Sequence, residues 1–227
     1  MEEKEEKKVD TEEIKKETVE TAKQVRDTVK ETVKNVNIKN DAKEATGFIS
    51  AMFKDPFEKI REIVEDKENK NLKIAIIFVA IWTIVIFIKA LSIKYWSFNA
   101  IFKNILSLVK TVIAPSLGIL VLSGIVYFMN KKEKRSLTTI ITSITIAKIP
   151  EIIASVLGLL TLFSASSYKI TSPISALCSI ITVILTYFTI KTIFKEEQNS
   201  KFLKTFIIIE AIYYLAYMVI SFLEIYI

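Results

Sequence analysis

Several long, nearly uncharged apolar stretches constrain this chain more than any other feature of its sequence. From residue 72 onward, most charged side chains fall in short segments between apolar runs of about 20 residues. A helix of that length can cross the hydrocarbon core of a bilayer with all its backbone polar groups bonded internally. The sequence therefore predicts an all-α fold, a polytopic membrane helix bundle, rather than a soluble domain.

Five apolar runs define the predicted membrane domain, residues 72–227. Between the first and second runs, residues 97–110 mix lysines with apolar side chains. This pattern fits either a helix on the membrane surface or an extension of the second span. The predicted spans are 72–93, 111–130, 137–163, 173–194 and 202–227.

Charge is distributed unevenly between the two ends of the sequence. Residues 1–45 carry 11 basic and 13 acidic side chains, whereas residues 46–227 carry 20 basic and 12 acidic ones. The net charge of +6 and the pI of 9.1 therefore arise in the membrane part and its loops. We do not interpret them as a nucleic-acid footprint, and we expect no nucleic-acid partner.

Residues 1–45 form a charged tail with a thin apolar stripe at helical spacing. The interpretations left open are a partly disordered helical tail in solvent, a coiled-coil or adaptor helix that binds a protein partner, and a helix on the membrane surface. Asn35–Asp41 and Gly47 are predicted breaks. The stripe consists of Ile14, Ala22, Val25, Val29, Val33 and Val36.

Residues 46–71 form a predicted amphipathic segment with a bulkier apolar face, which includes Phe53 and Phe57. Asp55 followed by Pro56 predicts the start of a helix, because aspartate caps a helix N-terminus and proline suits the first turn. We expect this segment to lie in the lipid headgroup region ahead of the first span.

The distribution of Lys and Arg predicts the orientation in the membrane. Basic residues are concentrated ahead of the first span, after the second and after the fourth, for example at Arg135 and Lys195. With five spans, these segments share the cytoplasmic face, and the C-terminus lies outside. The loop between the first and second spans is an exception to this distribution, because it would place Lys94 and Lys103 on the opposite face of the membrane. No apolar run precedes residue 72, so the first span is expected to serve as its own insertion signal.

The residues needed for most enzyme chemistry are missing from the sequence. The chain has no histidine and a single cysteine, Cys178, so histidine bases, catalytic triads and thiolate metal clusters are excluded. No phosphate-binding glycine loop and no carboxylate pair at metal spacing is present. We therefore predict no catalytic, cofactor-binding or metal-binding residues, no cofactor and no enzymatic activity.

Four polar features fall at membrane depth: Lys148, Pro150 and Glu151 in the third span, and Glu210 in the fifth. Lys148 and Glu151 are three residues apart and are expected to pair on one helix face. Pro150 removes a backbone hydrogen bond and is expected to kink the helix. Such charges serve either as an ion pair that fixes helix packing or as a hydrated pathway, a relay or a lipid-headgroup site.

The membrane part resembles the Yip1 family of integral membrane proteins, in its bacterial branch. The resemblance covers residues 48–227 and rests on the five-span plan and three short motifs. These motifs are Phe53-Lys54-Asp55-Pro56-Phe57-Glu58-Lys59-Ile60, Ala114-Pro115 with Gly118, and Ile146-Ala147-Lys148-Ile149-Pro150.

The resemblance implies a multi-pass protein of the bacterial cytoplasmic membrane. Our hypothesis for its function is a non-enzymatic membrane organiser or scaffold. Its N-terminal tail is then a candidate site for a protein partner. The alternative is a small transporter or an ion- or proton-conducting protein that uses Lys148, Glu151 and Glu210. A homo-oligomer is compatible with either function. Gly118 and Gly124 do not form the GxxxG motif, so they predict no dimer.

Overall fold

The computed structural model contains helices and no strand in the part of the chain that it describes. The chain divides into two compact units, Met1–Val36 and Asn37–Ile227. The structure describes residues 11–34, 38–66, 68–94, 98–130, 133, 135–196 and 198–226.

The first unit contains one helix, α1 (Thr11–Lys34). Its charged residues alternate with valines and threonines, and the apolar stripe predicted along it is not buried within the unit. Val33 is 50% exposed, and Val25 and Val29 are half-buried. The side chains of Ile14 and Val36 lie outside the described residues. Residues 11–34 of the predicted tail are thus helical, and its role as a tail stays a prediction.

The second unit begins with two short helices and continues with longer, more apolar ones. Two 3₁₀ turns, Gly158–Leu162 and Ala165–Ser167, lead from α7 to α8. The α-helices are α2 (Ile38–Lys54), α3 (Pro56–Glu65), α4 (Leu72–Lys94), α5 (Phe98–Met129), α6 (Leu137–Ala147), α7 (Ile149–Leu157), α8 (Tyr168–Phe194) and α9 (Asn199–Tyr226).

Helix α6 lies at the centre of the second unit and packs against α3, α4, α5 and α8. Its Ile144 and Ile146 are fully buried, and so are most of its hydroxyl side chains. By contrast, large apolar side chains are exposed on the outer faces of α4, α8 and α9, for example Ile84 at 57% and Ile180 at 60%. Apolar surfaces outside and small hydroxyl residues between the helices are typical of a membrane bundle.

Three helical segments of the described residues are long and apolar enough to cross a membrane: Leu72–Leu91, Val112–Met129 and Tyr168–Phe194. A fourth is present if the pair Leu137–Ala147 and Ile149–Leu162, bent by 43°, forms one span. The chain is thus consistent with an integral membrane protein. The fifth predicted span, 202–227, coincides with helix up to Tyr226 but is not among these candidate spans of the described residues, so the count of five stays a prediction.

Residues 98–110 continue directly into the second span, because α5 is one helix from Phe98 to Met129. Of the two alternatives for 97–110, the structure shows the extension of the helix; residue 97 lies outside the described residues. Pro115 lies inside α5 without ending it. The fourth predicted span also begins earlier than expected, since α8 starts at Tyr168 rather than at residue 173.

Helices α2 and α3, here called the α2–α3 layer, pack at one end of the bundle. Helix α3 contacts α6 and α8, and the Arg135 Nη1 donates a hydrogen bond to the Val64 carbonyl over 2.7 Å. The Asp41 carboxylate pairs with the Lys73 ammonium near the start of α4. The starts of α4 and α6 and the end of α8 therefore lie at the same end, which matches the alternating direction expected of successive spans.

This layer corrects three expectations from the sequence. The apolar face of α3 was expected to meet lipid headgroups, but Ile60, Ile63 and Val64 are at most 1% exposed because they pack on the ends of the spans. The expected break at Gly47 is wrong, since α2 is helical from Ile38 to Lys54. Residues 38–45, placed in the tail by the sequence, belong with the second unit.

Candidate functional site

The third predicted span is interrupted at Lys148. Helix α6 ends at Ala147 and α7 begins at Ile149, with Lys148 between them at φ −89° and ψ 3°. Pro150 has no N–H to donate to the carbonyl one turn back, so the regular hydrogen-bond ladder stops. The Lys148 N–H instead bonds to Thr145 in a tighter turn, over 3.1 Å. The predicted kink is confirmed, with a bend of 43°.

The break brings together the charged residues that the sequence singled out. The Lys148 ammonium donates to the Glu151 carboxylate over 3.3 Å, as the spacing of three predicted. Glu210, on α9, interacts electrostatically with Lys148. Pro150 is buried beside them, as is Ile149 at 3% exposure. We call Lys148, Glu151 and Glu210 the charged site.

Two cavities meet at Glu151 of the charged site. The central cavity, of about 400 Å³, is bordered by Lys148, Pro115 and Tyr213. The second, here called the Lys89 cavity, has a volume of about 450 Å³ and lies between the end of α7 and the start of α8. Glu151 and Ser179 line both cavities. The two cavities thus adjoin beside the break in the third span, and exposed residues such as Tyr168 and Tyr214 border them on the outside of the bundle.

A row of buried hydroxyls on α8 continues from the central cavity. Thr182 lines this cavity, and Thr186 and Thr189 follow at spacings of four and three, on the same face of the helix. All three are at most 5% exposed, and within the described part of the chain their hydroxyls have no hydrogen-bond partner. We call them the hydroxyl row.

Two further hydroxyls share this condition, Ser123 on α5 and Thr142 on α6. A buried, unpaired hydroxyl costs about 1–3 kcal/mol, so ordered water is the natural partner for such groups. The hydroxyl row on α8 was not predicted from the sequence. The sequence nevertheless contains a pattern that indicates this row, because threonines at i, i+4 and i+7 inside an apolar run lie on one helix face.

A third cavity, of about 720 Å³, lies at the end of the bundle that carries the α2–α3 layer. Arg135 and Thr139 line it, together with Glu133 and Lys195, whose charged groups pair over 2.7 Å. Thr139 belongs to the same helix as Thr142, one turn away. Unpaired hydroxyls thus occur between this charged cavity and the charged site.

The four residues predicted at the interface lie at the junction of α2 and α3. The Asp55 carboxylate caps α3 by accepting from the Glu58 N–H over 3.0 Å, and Pro56 occupies the first turn, both as predicted. Phe53 is 71% exposed and Phe57 42%. Their contact with headgroups stays a prediction. Phe57 also packs edge-on against Phe188 of α8, with ring centroids 4.7 Å apart.

The described residues contain no group of three His, Cys, Asp or Glu side chains that could hold a metal ion. Comparison with known proteins finds no matching family model, no similar curated protein and no similar solved structure. The resemblance to Yip1 proteins therefore stays a hypothesis that rests on the sequence motifs alone.

Proposed function

We propose that this chain is a non-enzymatic, Yip1-like membrane organiser of five spans, with its N-terminus in the cytoplasm and its C-terminus outside. The main support for this proposal is the position of the α2–α3 layer at one end of the bundle. This layer is anchored to the bundle by the Asp41–Lys73 pair and by the bond from Arg135 to the Val64 carbonyl, yet leaves Phe53 and its charged outer face exposed. Such a layer supplies a fixed platform at one end of the spans.

The exposed groups of the platform suit a membrane surface. Phe53 and Lys54 project from the end of α2, and aromatic and lysine side chains are favoured at the headgroup level. On α3, the Lys59–Glu62 and Arg61–Glu58 pairs keep the outer face charged. We infer that the layer lies flat at the interface, with the two exposed phenylalanines in the headgroups.

Helix α1 supports an organising role because it is a separate unit with an uncovered stripe. Val33 is 50% exposed and Val25 and Val29 are half-buried, on a helix whose other faces are charged. A thin valine stripe is weak for membrane binding, which usually uses Leu, Phe or Trp, but it fits a partner helix. We infer that α1 recruits a protein partner.

The experiment compares the full chain with a variant in which residues 1–36 are scrambled at constant composition. Both are expressed in the native membrane, extracted with mild detergent and sized by native electrophoresis. We expect the full chain in a larger assembly than the scrambled variant, because scrambling removes the valine stripe but not the charge. Equal sizes for the two would contradict partner recruitment by the tail.

A second candidate function is ion or proton conduction, and one observation favours it. The charged site lies where the central cavity and the Lys89 cavity meet, and unpaired hydroxyls continue from it toward the charged cavity near Arg135. Breaks in membrane helices and charges at membrane depth are typical of ion pathways. Water in these spaces would connect the two ends of the bundle.

Proteoliposomes loaded with a pH-sensitive dye separate the two functions. If the protein is an organiser, the proton flux should not exceed that of protein-free vesicles. Lys148→Leu and Glu210→Gln should then either lower the stability of the protein or have no effect. A conductor gives a flux that both substitutions abolish while the protein remains monodisperse. Glu62→Gln, in an exposed pair on α3, serves as the matched control and should leave either outcome unchanged.

A further inference from the structure

We propose that the Lys89 cavity binds a phosphate anion, whose source is either a phospholipid headgroup or free phosphate. Lys89 is on α4, five residues before the helix ends, at the end of the bundle away from the α2–α3 layer. This places its Cα roughly 8 Å along the helix axis from that of Lys94, so its long side chain is within reach of the headgroup region. The proposal is independent of whether the protein organises or conducts.

The Lys89 ammonium projects over the last turn of α7. A Cβ built on Gly158 would lie only 2.5 Å from the Lys89 Nζ and 3.2 Å from its Cε. The absence of a side chain at Gly158 therefore makes the space that the ammonium occupies. Lys89 is half-buried, and within the described residues it has neither an ion pair nor a hydrogen bond. An unpaired cation at this depth is costly, and an anion would offset that cost.

The wall opposite Lys89 is a face of hydroxyl groups. Tyr168, Thr171, Ser172 and Ser175 line the cavity at spacings of three, four and seven, which puts them on one side of the first two turns of α8. None of the four hydroxyls has a hydrogen-bond partner among the described residues. Hydroxyls and an ammonium are donors that together suit the several acceptor oxygens of a phosphate.

The remaining polar groups of the cavity are already engaged. The Ser155 hydroxyl accepts from the Trp82 indole N–H over 3.1 Å, and the Thr161 hydroxyl donates to the Gly158 carbonyl over 2.7 Å. Glu151 also lines the cavity, but its carboxylate is paired with Lys148. The lining thus has one uncompensated positive charge, that of Lys89, and a single anion neutralises it.

The test uses the purified full chain in a non-ionic detergent. Native mass spectrometry follows binding of dioleoyl phosphatidylglycerol and of dioleoylglycerol, which has the same acyl chains and no phosphate. We expect the phospholipid alone to bind, and Lys89→Gln to weaken it roughly tenfold, as the loss of one charge-assisted hydrogen bond does. Lys89→Arg should retain binding, and Lys169→Gln, next to the cavity but exposed, should not change it.

Gly158→Ala is the second variant, because it keeps Lys89 but forces its ammonium to move from the position it occupies. It should weaken phospholipid binding as Lys89→Gln does, while the protein elutes as a single species. If inorganic phosphate at millimolar concentration displaces the phospholipid, the ligand is a free anion; if it does not, the ligand is the headgroup. Equal binding of both lipids, or unchanged binding by Lys89→Gln and Gly158→Ala, would overturn the proposal.

Discussion

At Gly118 the hydroxyl of Tyr213 occupies the space that a side chain would need. A Cβ built there would lie 2.9 Å from the Tyr213 Oη and 4.0 Å from its Cζ, so the close approach of Tyr213 on α9 to α5 depends on the glycine at position 118. We predict that Gly118→Ala lowers stability by about 1–3 kcal/mol, the usual cost of overpacking. Thermal unfolding in detergent, followed by size-exclusion chromatography, measures it.

Gly124→Ala is the matched control on the same helix, because a Cβ at Gly124 would meet nothing within 4 Å. We expect this variant to be as stable as the wild type. The double variant Gly118→Ala with Tyr213→Phe removes the clashing oxygen, so it should be no less stable than Tyr213→Phe alone. An equal loss of stability from Gly118→Ala and Gly124→Ala would show that the tyrosine contact is not the cause.

The Asp41–Lys73 pair attaches α2 to the bundle. Asp41 has 4% of its side chain exposed and Lys73 28%, so removing one partner leaves the other largely buried and uncompensated. We predict that Asp41→Ala destabilises the protein by about 2 kcal/mol, less than for a fully buried pair, because Lys73 is partly solvated. Glu68→Ala, from an exposed pair with Lys70, is the control and should cost little. Protease sensitivity of α2 should rise in the first variant only.

At the scale of elements, α3 depends on its cap. The Asp55 side chain satisfies one of the N–H groups that the first turn leaves free, over 3.0 Å to Glu58. We predict that Asp55→Ala costs about 1 kcal/mol and loosens α3, whereas Asp55→Ser, which keeps an acceptor at the cap, costs much less. Differential scanning fluorimetry in detergent measures both. Equal effects of Ala and Ser would mean that the capping bond contributes nothing.

Individual helices show most clearly what could and could not be predicted from the sequence. Local signals placed the start of α3 at Asp55 and Pro56 and the break at Pro150, because capping and the missing N–H act within one turn. An amphipathic face, however, looks the same whether it meets lipid or protein, so the packing of α3 on α6 and α8 could not be read from its pattern.

At the scale of the whole molecule, the length of each apolar run predicted where the candidate spans lie, since the thickness of the bilayer sets how long a spanning helix must be. The three candidate spans that begin near residues 72, 112 and 168, and the bent pair between the last two, follow the predicted order. The folded structure was needed to show which residues far apart in the sequence lie close together. Lys89 and Tyr168 share a cavity although about 80 residues separate them, and no local pattern links them.

The orientation of the bundle is the last prediction, and single cysteines in a Cys178→Ala background test it. The structure puts Ser136 at the start of α6, next to the α2–α3 layer, and Ser167 at the start of α8, at the other end. With the N-terminus inside, an impermeant thiol reagent added to intact cells should label position 167 and a cysteine appended after Ile227.

Positions 136 and 199 should react only after permeabilisation, because the basic residues near them favour the cytoplasmic face. If positions 136 and 199 were labelled and position 167 were protected, the protein would have the opposite orientation, and the Lys89 cavity would lie at the inner leaflet. If the appended cysteine behaved like position 136 instead, α9 would not cross the membrane. The five-span plan would then fail, and with it the strongest argument for the resemblance to Yip1 proteins.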